Sequence, residues 1–534
     1  MSSSASSSSR RRTVEEMISP VDVDSFDWAA YEGTYRGRAL ITRLTHIPTL
    51  LLTSCSSHPT PHAIALSKAA LKRLIPHIKD DTWDYTTYLQ SVRLLLDPTS
   101  LKKPDESTMD IDESAASAVA GDGEMDMEWI ENVKELERRE NTRLDVELRG
   151  YLSNLIKESI RLTYLAFAQL SIKVGNSSSA MKNFGAVREY STSPQHHVDL
   201  GVGIVETLLA FNLPATLPGH ISKLEATLDR LHPPPTSTKN QAEAANVTAS
   251  DIRERRENEL RSLSVRKSVM IRIKIAKGLV ALYNREWAKA ARELLGVHED
   301  CGGQGDFEGK AISTSDIGLI VTFCTLANGD RDQIRRVLLE NPNYKSQIDD
   351  SNSWLIDLTN SFVDADYGQV MRLLYKSEPI LLLNPFLSAH TTTLIDLIQT
   401  KCILQYVQPF SSIRIQTMAN SFGLTEEQML GLVEALVEGK EIGGKIDLID
   451  HVINMTEPDY RNEMFKNAYQ VGKKVSEVTQ SAILRMKMIE AGLIVDPRPP
   501  KSEKPGSGVD EKGQLVLDEG IGEGLGMEPD SYEV

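Results

Sequence analysis

The sequence predicts a mainly α fold: a right-handed, TPR-like helical-repeat solenoid, then a winged-helix module, then one long C-terminal helix. Three observations predict it. From residue 129 to 385, apolar residues recur at helical spacing in short segments joined by short turns, with no strand-period run among them. From 386 to 456, three amphipathic segments lead through Gly443-Gly444 into a run that alternates polar and apolar residues. From 459 to 490, apolar residues alternate spacings of four and three, close to a heptad.

Residues 1–22 are Ser-rich around Arg10-Arg11-Arg12, too polar to build a core, and are expected to be disordered. The Arg triplet fits either a solvated arm or a nuclear address. Residues 23–96 form N-terminal helices. Tyr31, Tyr35, Ala39, Leu40, Leu44 and Ile47 mark the first pattern, with Pro48 near its end. Segments 63–75 and 85–96 follow, divided by Pro76 and Lys79-Asp80-Asp81. Residues 97–128, rich in Asp, Glu, Ser and Gly, read as a mobile acidic insertion.

In the solenoid, 129–175 reads as one helical stretch, followed by 179–189, 196–213 and 221–231. A proline-led polar loop spans 232–250. Helices at 252–283, 286–295, 316–328, 331–340, 354–362 and 367–374 continue the array. Small residues recur where paired helices would touch: Ala166 and Ala168, Ala180 and Ala186, Ala276 and Gly278, Ala288 and Ala291. Each unit leaves apolar surface that a stacked neighbour must cover, and the winged helix would cover the last.

Leu394, Leu397, Ile398 and Ile403 place the first winged-helix segment at 391–406, stopped by Pro409. Ser411 and Ser412 can cap a second helix carrying Ile415, Met418, Ala419 and Phe422 on one side, ended by Gly423. Thr425 and Gln428 form a capping box for a third, with Leu432, Val433, Leu436 and Val437 inward and Gly439 closing it. Residues 445–450 then read as a half-buried strand. Lys445, Ile446, Asp447, Leu448 and Ile449 would offer unpaired backbone groups to a neighbouring sheet. On the C-terminal helix the stripe is Met464, Ala468, Val471, Val475, Val478, Ala482 and Met486 or Ile489. It would enter a bundle with helices of other chains or fold back on the winged helix. Residues 491–534 read as a disordered acidic tail.

This order is carried by Tyr31-Glu-Gly-Thr-Tyr-Arg-Gly, Arg43-Leu-Thr-His-Ile and Ala180-Met-Lys-Asn-Phe-Gly-Ala-Val-Arg-Glu-Tyr-Ser-Thr-Ser. Gly278-Leu-Val-Ala-Leu, Trp287-Ala-Lys-Ala-Ala-Arg-Glu-Leu-Leu and Ile403-Leu-Gln-Tyr-Val-Gln-Pro-Phe-Ser-Ser with Met418-Ala continue it. In these residues the chain resembles the PCI-domain proteins, scaffolding subunits of the proteasome lid, the signalosome and translation initiation factor three. The likeness runs from about residue 26 to 490 and is nearest the signalosome branch. It implies a non-catalytic scaffold of the nucleus and cytoplasm, with winged-helix sheets joined edge to edge and terminal helices gathered in one bundle. The implied partners are other signalosome PCI subunits, the second and third as neighbours, and a cullin-RING ligase as substrate of the whole complex. There a metalloprotease on a different chain removes a ubiquitin-like modifier from the cullin. A proteasome-lid subunit is the alternative of the same architecture.

The formal net charge of −16 disfavours a dedicated nucleic-acid binder. The third winged-helix segment reinforces this, since it carries Glu426, Glu427, Glu434 and Glu438 and no Lys or Arg before Lys440. Cys55, Cys301, Cys324 and Cys402 are far apart and fit reduced thiols inside a cell. No apolar run is long enough for a membrane span, and Met1-Ser-Ser-Ser lacks a secretory core. No catalytic, cofactor or metal residue is expected. His196-His197 are adjacent and His58 and His62 are separated by prolines, neither a chelating arrangement. The glycines from Gly520 to Gly526 lie in low-complexity sequence rather than between a strand and a helix. The Arg/Lys series from Arg253 to Lys277 fits a basic groove or, with Glu254, Glu257 and Glu259, a salt-bridged face.

Overall fold

The computed structural model describes Met17 and residues 27–54, 60–96, 125–231, 249–301, 307–447, 449–455 and 460–492. The Ser-rich start, nearly all of the acidic insertion, the proline-led loop, the acidic tail, Cys55 and Leu448 lie outside the described residues. The chain divides into a body ending at Glu457 and a second unit beginning at Pro458.

The body is a helical solenoid that runs into a winged helix. Four helices open it: α1 (Trp28–Thr34), α2 (Arg38–Ser54), α3 (Pro61–Asp81) and α4 (Tyr85–Leu96). The array proper is α5 (Met127–Ser153), α6 (Lys157–Val174), α7 (Ser177–Tyr190), α8 (Pro194–Ala210), α9 (Leu217–Leu231), α10 (Ala249–Tyr283) and α11 (Trp287–Cys301). It continues through α12 (Thr314–Asn328), α13 (Arg331–Ile334, passing into a π-helical turn at Arg335–Leu339), α14 (Pro342–Lys345), α15 (Trp354–Val363) and α16 (Tyr367–Leu383).

One turn closes most of the hairpins. Between α5 and α6, Leu155 N–H donates to the Leu152 carbonyl and Ile156 N–H to that of Tyr151. The same two bonds recur at Gly175/Asn176, Asn212/Leu213, Arg285/Glu286 and Ala365/Asp366. The first residue of each pair has positive φ, from 52° at Asn212 to 87° at Gly175. This is the left-handed helix cap, which satisfies carbonyls that the last turn leaves without partners. Only Gly175 announces it by residue type. The expected single helix over 129–175 is therefore two helices, broken at a leucine.

Prolines end fewer helices than expected. α2 runs through Pro48, α3 through Pro76 and α16 through Pro379. An interior proline costs about 3 kcal/mol. Beyond each one the helix buries Leu51 and Leu52, Ile78, or Leu381, Leu382 and Leu383. At about 1.5–3 kcal/mol per side chain, that burial offsets the loss.

A single core runs unbroken from Ala168 in α6 to Ile453 in the winged helix. Ala168, Ala180, Ala276 and Ala291 are buried as their spacing suggested, and a Cβ on Gly278 would overlap Leu294. Ala288 is exposed, however, and Ala290 takes the contact. A second core joins α1–α4 and Ile130 to Leu382 and Leu383 of α16. The N-terminal helices thus close on a helix more than three hundred positions later in the sequence.

Polar joints fasten that closure. Asp316, in the first turn of α12, accepts from Arg43 Nη2 (2.5 Å), Tyr35 OH (2.6 Å) and Asn384 Nδ2 (2.9 Å). It also completes a capping box with Ser313. The Arg43 guanidinium lies 3.8 Å from the Tyr35 ring centroid and is almost wholly buried. Burial and the Asp316 charge push the Tyr35 hydroxyl pKa well up, so the phenol stays a donor. A second joint is Asp84, which pairs with Arg38 and accepts from Thr86 and Thr87 at the start of α4. Burial alone would raise its pKa, but Arg38 and the threonine donors outweigh it and hold the carboxyl below the usual range. A side chain on Gly175 would collide with this carboxylate, so glycine there serves both the left-handed turn and the close approach.

Removing one member of a buried ion pair strands the other. Arg43→Met is expected to lower unfolding free energy by about 3–5 kcal/mol, read from the urea midpoint. Tyr35→Phe, which removes one donor to a charged acceptor, should cost about 1.5–3 kcal/mol.

Candidate assembly surfaces

The winged helix is built from α17 (Thr391–Val407), β1 (Ser412–Arg414), α18 (Ile415–Phe422), α19 (Glu426–Glu438), β2 (Gly444–Asp447) and β3 (Val452–Met455). Its order differs from the expected three helices and a hairpin by the extra strand. Ser411 and Ser412 do not cap α18: Ser412 pairs with Asn454 in the sheet, and α18 starts at Ile415 with no side-chain cap. The exposed–buried–exposed alternation of Ser412, Ile413 and Arg414 was too short to read as a strand. The capping box of Thr425 and Gln428 is present. Gly423 takes the left-handed cap, whereas at the end of α19 Lys440 takes it in place of Gly439.

The module is locked onto the solenoid by side chains from both. Lys401 of α17 donates to the carbonyls of Leu326 (3.1 Å) and Gly329 at the end of α12, where helix carbonyls lack partners. Tyr367 of α16 stacks on Phe422 with ring centroids 5.5 Å apart, and Tyr406 meets both edge-on. These contacts fasten α17 and α18 of the module to the array.

The sheet order is β1-β3-β2, so β2 is an outer strand. Its backbone direction follows from the register. Met455 N–H donates to Ser411 O and Ile415 N–H to His451 O, so residues 451, 453 and 455 spend their hydrogen bonds on the β1 side. In an antiparallel ladder successive residues alternate sides. Residues 452 and 454 therefore bond β2 through their partners Asp447 and Lys445. Gly444 and Ile446 point their N–H and C=O groups outward, where no strand pairs with them among the described residues. Among the expected edge residues, Lys445, Ile446 and Asp447 lie in this strand and Leu448 falls outside the described residues. Ile449 is not in the strand. Asp447 Oδ1 accepts from Ile449 N (2.9 Å) and Asp450 N (3.4 Å), ending the strand in a tight turn that leaves Ile449 90% exposed.

The second unit contains α20 (Tyr460–Glu490). Met464, Ala468, Val471, Val475, Val478, Ala482 and Met486 share one side of it, and all are exposed. Ile489 lies on the same side, and Phe465, Tyr469, Ile483, Leu484 and Met488 are exposed apolar residues away from it.

The other candidates reduce to structure. Cys324 and Cys402 are buried, and burial pushes both thiols up to about 12, away from nucleophilic use. His196 lies 3.9 Å from Glu158, and among the described residues no cluster of three or more His, Cys, Asp or Glu side chains could hold a metal ion. Three cations of the basic series on α10 pair with neighbouring helices: Arg266 with Asp229, Arg272 with Glu206 and Lys277 with Glu225, each at 2.7 Å. These acids belong to α8 and α9. Among the described residues no helix is long and apolar enough to cross a membrane.

Comparison with known proteins matches residues 375–457 to the PCI domain family and residues 126–337 to the family described as 26S proteasome subunit RPN7. The chain is 24% identical over 366 residues to COP9 signalosome complex subunit 1 of Arabidopsis thaliana, covering 68% of this chain and 74% of the relative. It is 25% identical over 370 residues to COP9 signalosome complex subunit 1b of Drosophila melanogaster, covering 69% and 64%. Against COP9 signalosome complex subunit 1 of Emericella nidulans it is 24% identical over 487 residues, covering 89% and 84%.

The alternation in β2 gives a test in the isolated chain. Lys445→Pro removes an N–H that bonds β3 and should lower stability by about 1–3 kcal/mol. Ile446→Pro removes only an outward N–H and should melt like Ile446→Ala, which controls for the lost side-chain packing.

Proposed function

We propose, from its membership of the PCI-domain family as a subunit of the signalosome and proteasome-lid type, that this chain is a non-catalytic scaffold of the signalosome. It joins other PCI subunits, the second and third as neighbours, through the outer edge of β2, and it enters a shared helical bundle through α20. In this role it supports removal of a ubiquitin-like modifier from cullins by a metalloprotease on another chain, and so the regulation of cullin-RING ligases in nucleus and cytoplasm. The observation that carries the reading is the apolar stripe of α20, with Val471, Val475 and Val478 about 60% exposed in the lone chain. Such a row is stable in water only when covered by a partner.

The lid is the alternative, since the RPN7 family match bears a proteasome subunit's name. That match stops at residue 337, whereas the likeness to signalosome first subunits extends over up to 89% of the chain. Mass spectrometry of the purified assembly separates the two, and proteasomal ATPases among the partners would count against the signalosome. A DNA-binding reading is disfavoured by the glutamates of α19, of which Glu426 and Glu427 sit in the first turn where a recognition helix would meet phosphates.

Val475→Asp with Val478→Asp is expected to release the subunit from the reconstituted bundle while its direct PCI neighbour stays bound. Ile446→Pro should do the reverse, weakening the direct neighbour by at least tenfold. Gel filtration of the mixed subunits checks both, and wild-type elution of either variant would contradict the corresponding attachment.

A further inference from the structure

The apolar residues of α20 fall into two zones. A helix advances about 100° per residue. Through residues 464–481 the apolar positions keep to one half of the circumference, with Lys466, Gln470, Lys473 and Glu477 opposite. From Ala482 that polar side ends. Leu484 and Met488, 61% and 39% exposed, occupy the side held earlier by Lys466, Lys473 and Glu477. Ile483, Met486 and Ile489 take the remaining directions, so only Arg485 and Lys487 interrupt an apolar ring.

We propose that residues 482–489 are enclosed on opposite faces by helices of at least two other chains, while residues 464–481 keep one side in water. The proposal rests on the reading that α20 enters a bundle, and it gives this helix a central rather than peripheral place there. A helix that is apolar all round is a buried helix. The occupants are apolar helices that bring carboxylates, because Arg485 and Lys487 lose their water in such an enclosure and make no ion pair among the described residues. A second copy of α20 fits poorly: in those turns it offers the same two cations and one acid, Glu490. A bilayer surface fits poorly too, since an interfacial helix needs a polar face along its whole length, and this one loses it after Ser481.

The test compares variants of the full chain reconstituted with its PCI partners. Leu484→Asp with Met488→Asp is expected to reduce incorporation into the helical bundle at least tenfold, as strongly as Val475→Asp with Val478→Asp. Gln470→Asp with Ser481→Asp, on the same side of the helix but in the first zone, should incorporate normally. Arg485→Glu should also reduce incorporation at least tenfold. If Leu484→Asp with Met488→Asp incorporates normally while the Val475 and Val478 variant is released, the enclosure is wrong and the bundle reading stands. If the valine variant also incorporates normally, both fail. Normal incorporation of Arg485→Glu rules out the carboxylate-bearing occupants. Three measurements on the isolated chain complete the test. Unchanged melting of the Leu484 and Met488 variant supports the proposal, and a lowered melting temperature overturns it in favour of packing within the chain. Wild-type monomers in sedimentation support it, and a dimer that this variant dissociates overturns it. Failure to bind phosphatidylserine vesicles supports it, and binding that this variant abolishes overturns it.

Discussion

A helical hairpin buries one face and leaves another bare, and the architecture follows from that limitation. Each pair of helices in the array is covered by the next, which is why one core runs without interruption from Ala168 to Ile453. The last helices of the array, α12 and α16, are covered by two elements that are not repeats. α1–α4 fold onto them where Asp316 gathers Arg43, Tyr35 and Asn384. The winged helix docks on the same two helices through Lys401 and the aromatic group of Tyr367, Tyr406 and Phe422.

Among the described residues the two units offer two kinds of bonding capacity, one each. One is directional: the outward backbone groups of Gly444 and Ile446 accept only another strand in register. The other is non-directional: the apolar surface of α20 accepts any complementary helix. In the proposed scaffold the first would fix orientation and the second would supply area, and neither calls for a reactive side chain. Arg266, Arg272 and Lys277 of α10 are engaged by Asp229, Glu206 and Glu225.

Much of this was legible in the residues. Helical periodicity located nearly every helix, and the capping box at Thr425 is where its pattern put it. What escaped was governed by context rather than composition. Leu155 takes the left-handed cap that glycine usually signals, so the break between α5 and α6 was invisible. Pro48, Pro76 and Pro379 stay inside helices because the turns beyond them are buried, which no local rule reports. β1 is three residues long, beneath the reach of any alternation test. In the assembly surfaces, spacing found the β2 strand and the stripe of α20, but not the direction of the β2 amides, which only the β1–β3 register reveals. It also passed over the ring formed by Leu484 and Met488, because a search for one stripe ignores what lies behind it.

The joint at Asp316 sets an order on biosynthesis. Tyr35 and Arg43 leave the ribosome long before the acid that accepts from both, and Leu382 and Leu383, which complete the core of α1–α4, come later still. The first helices must therefore wait, partly uncovered, until most of the body has been translated. A ribosome stalled before α12 would release a polypeptide whose opening helices lack Asp316 and the α16 side of their core.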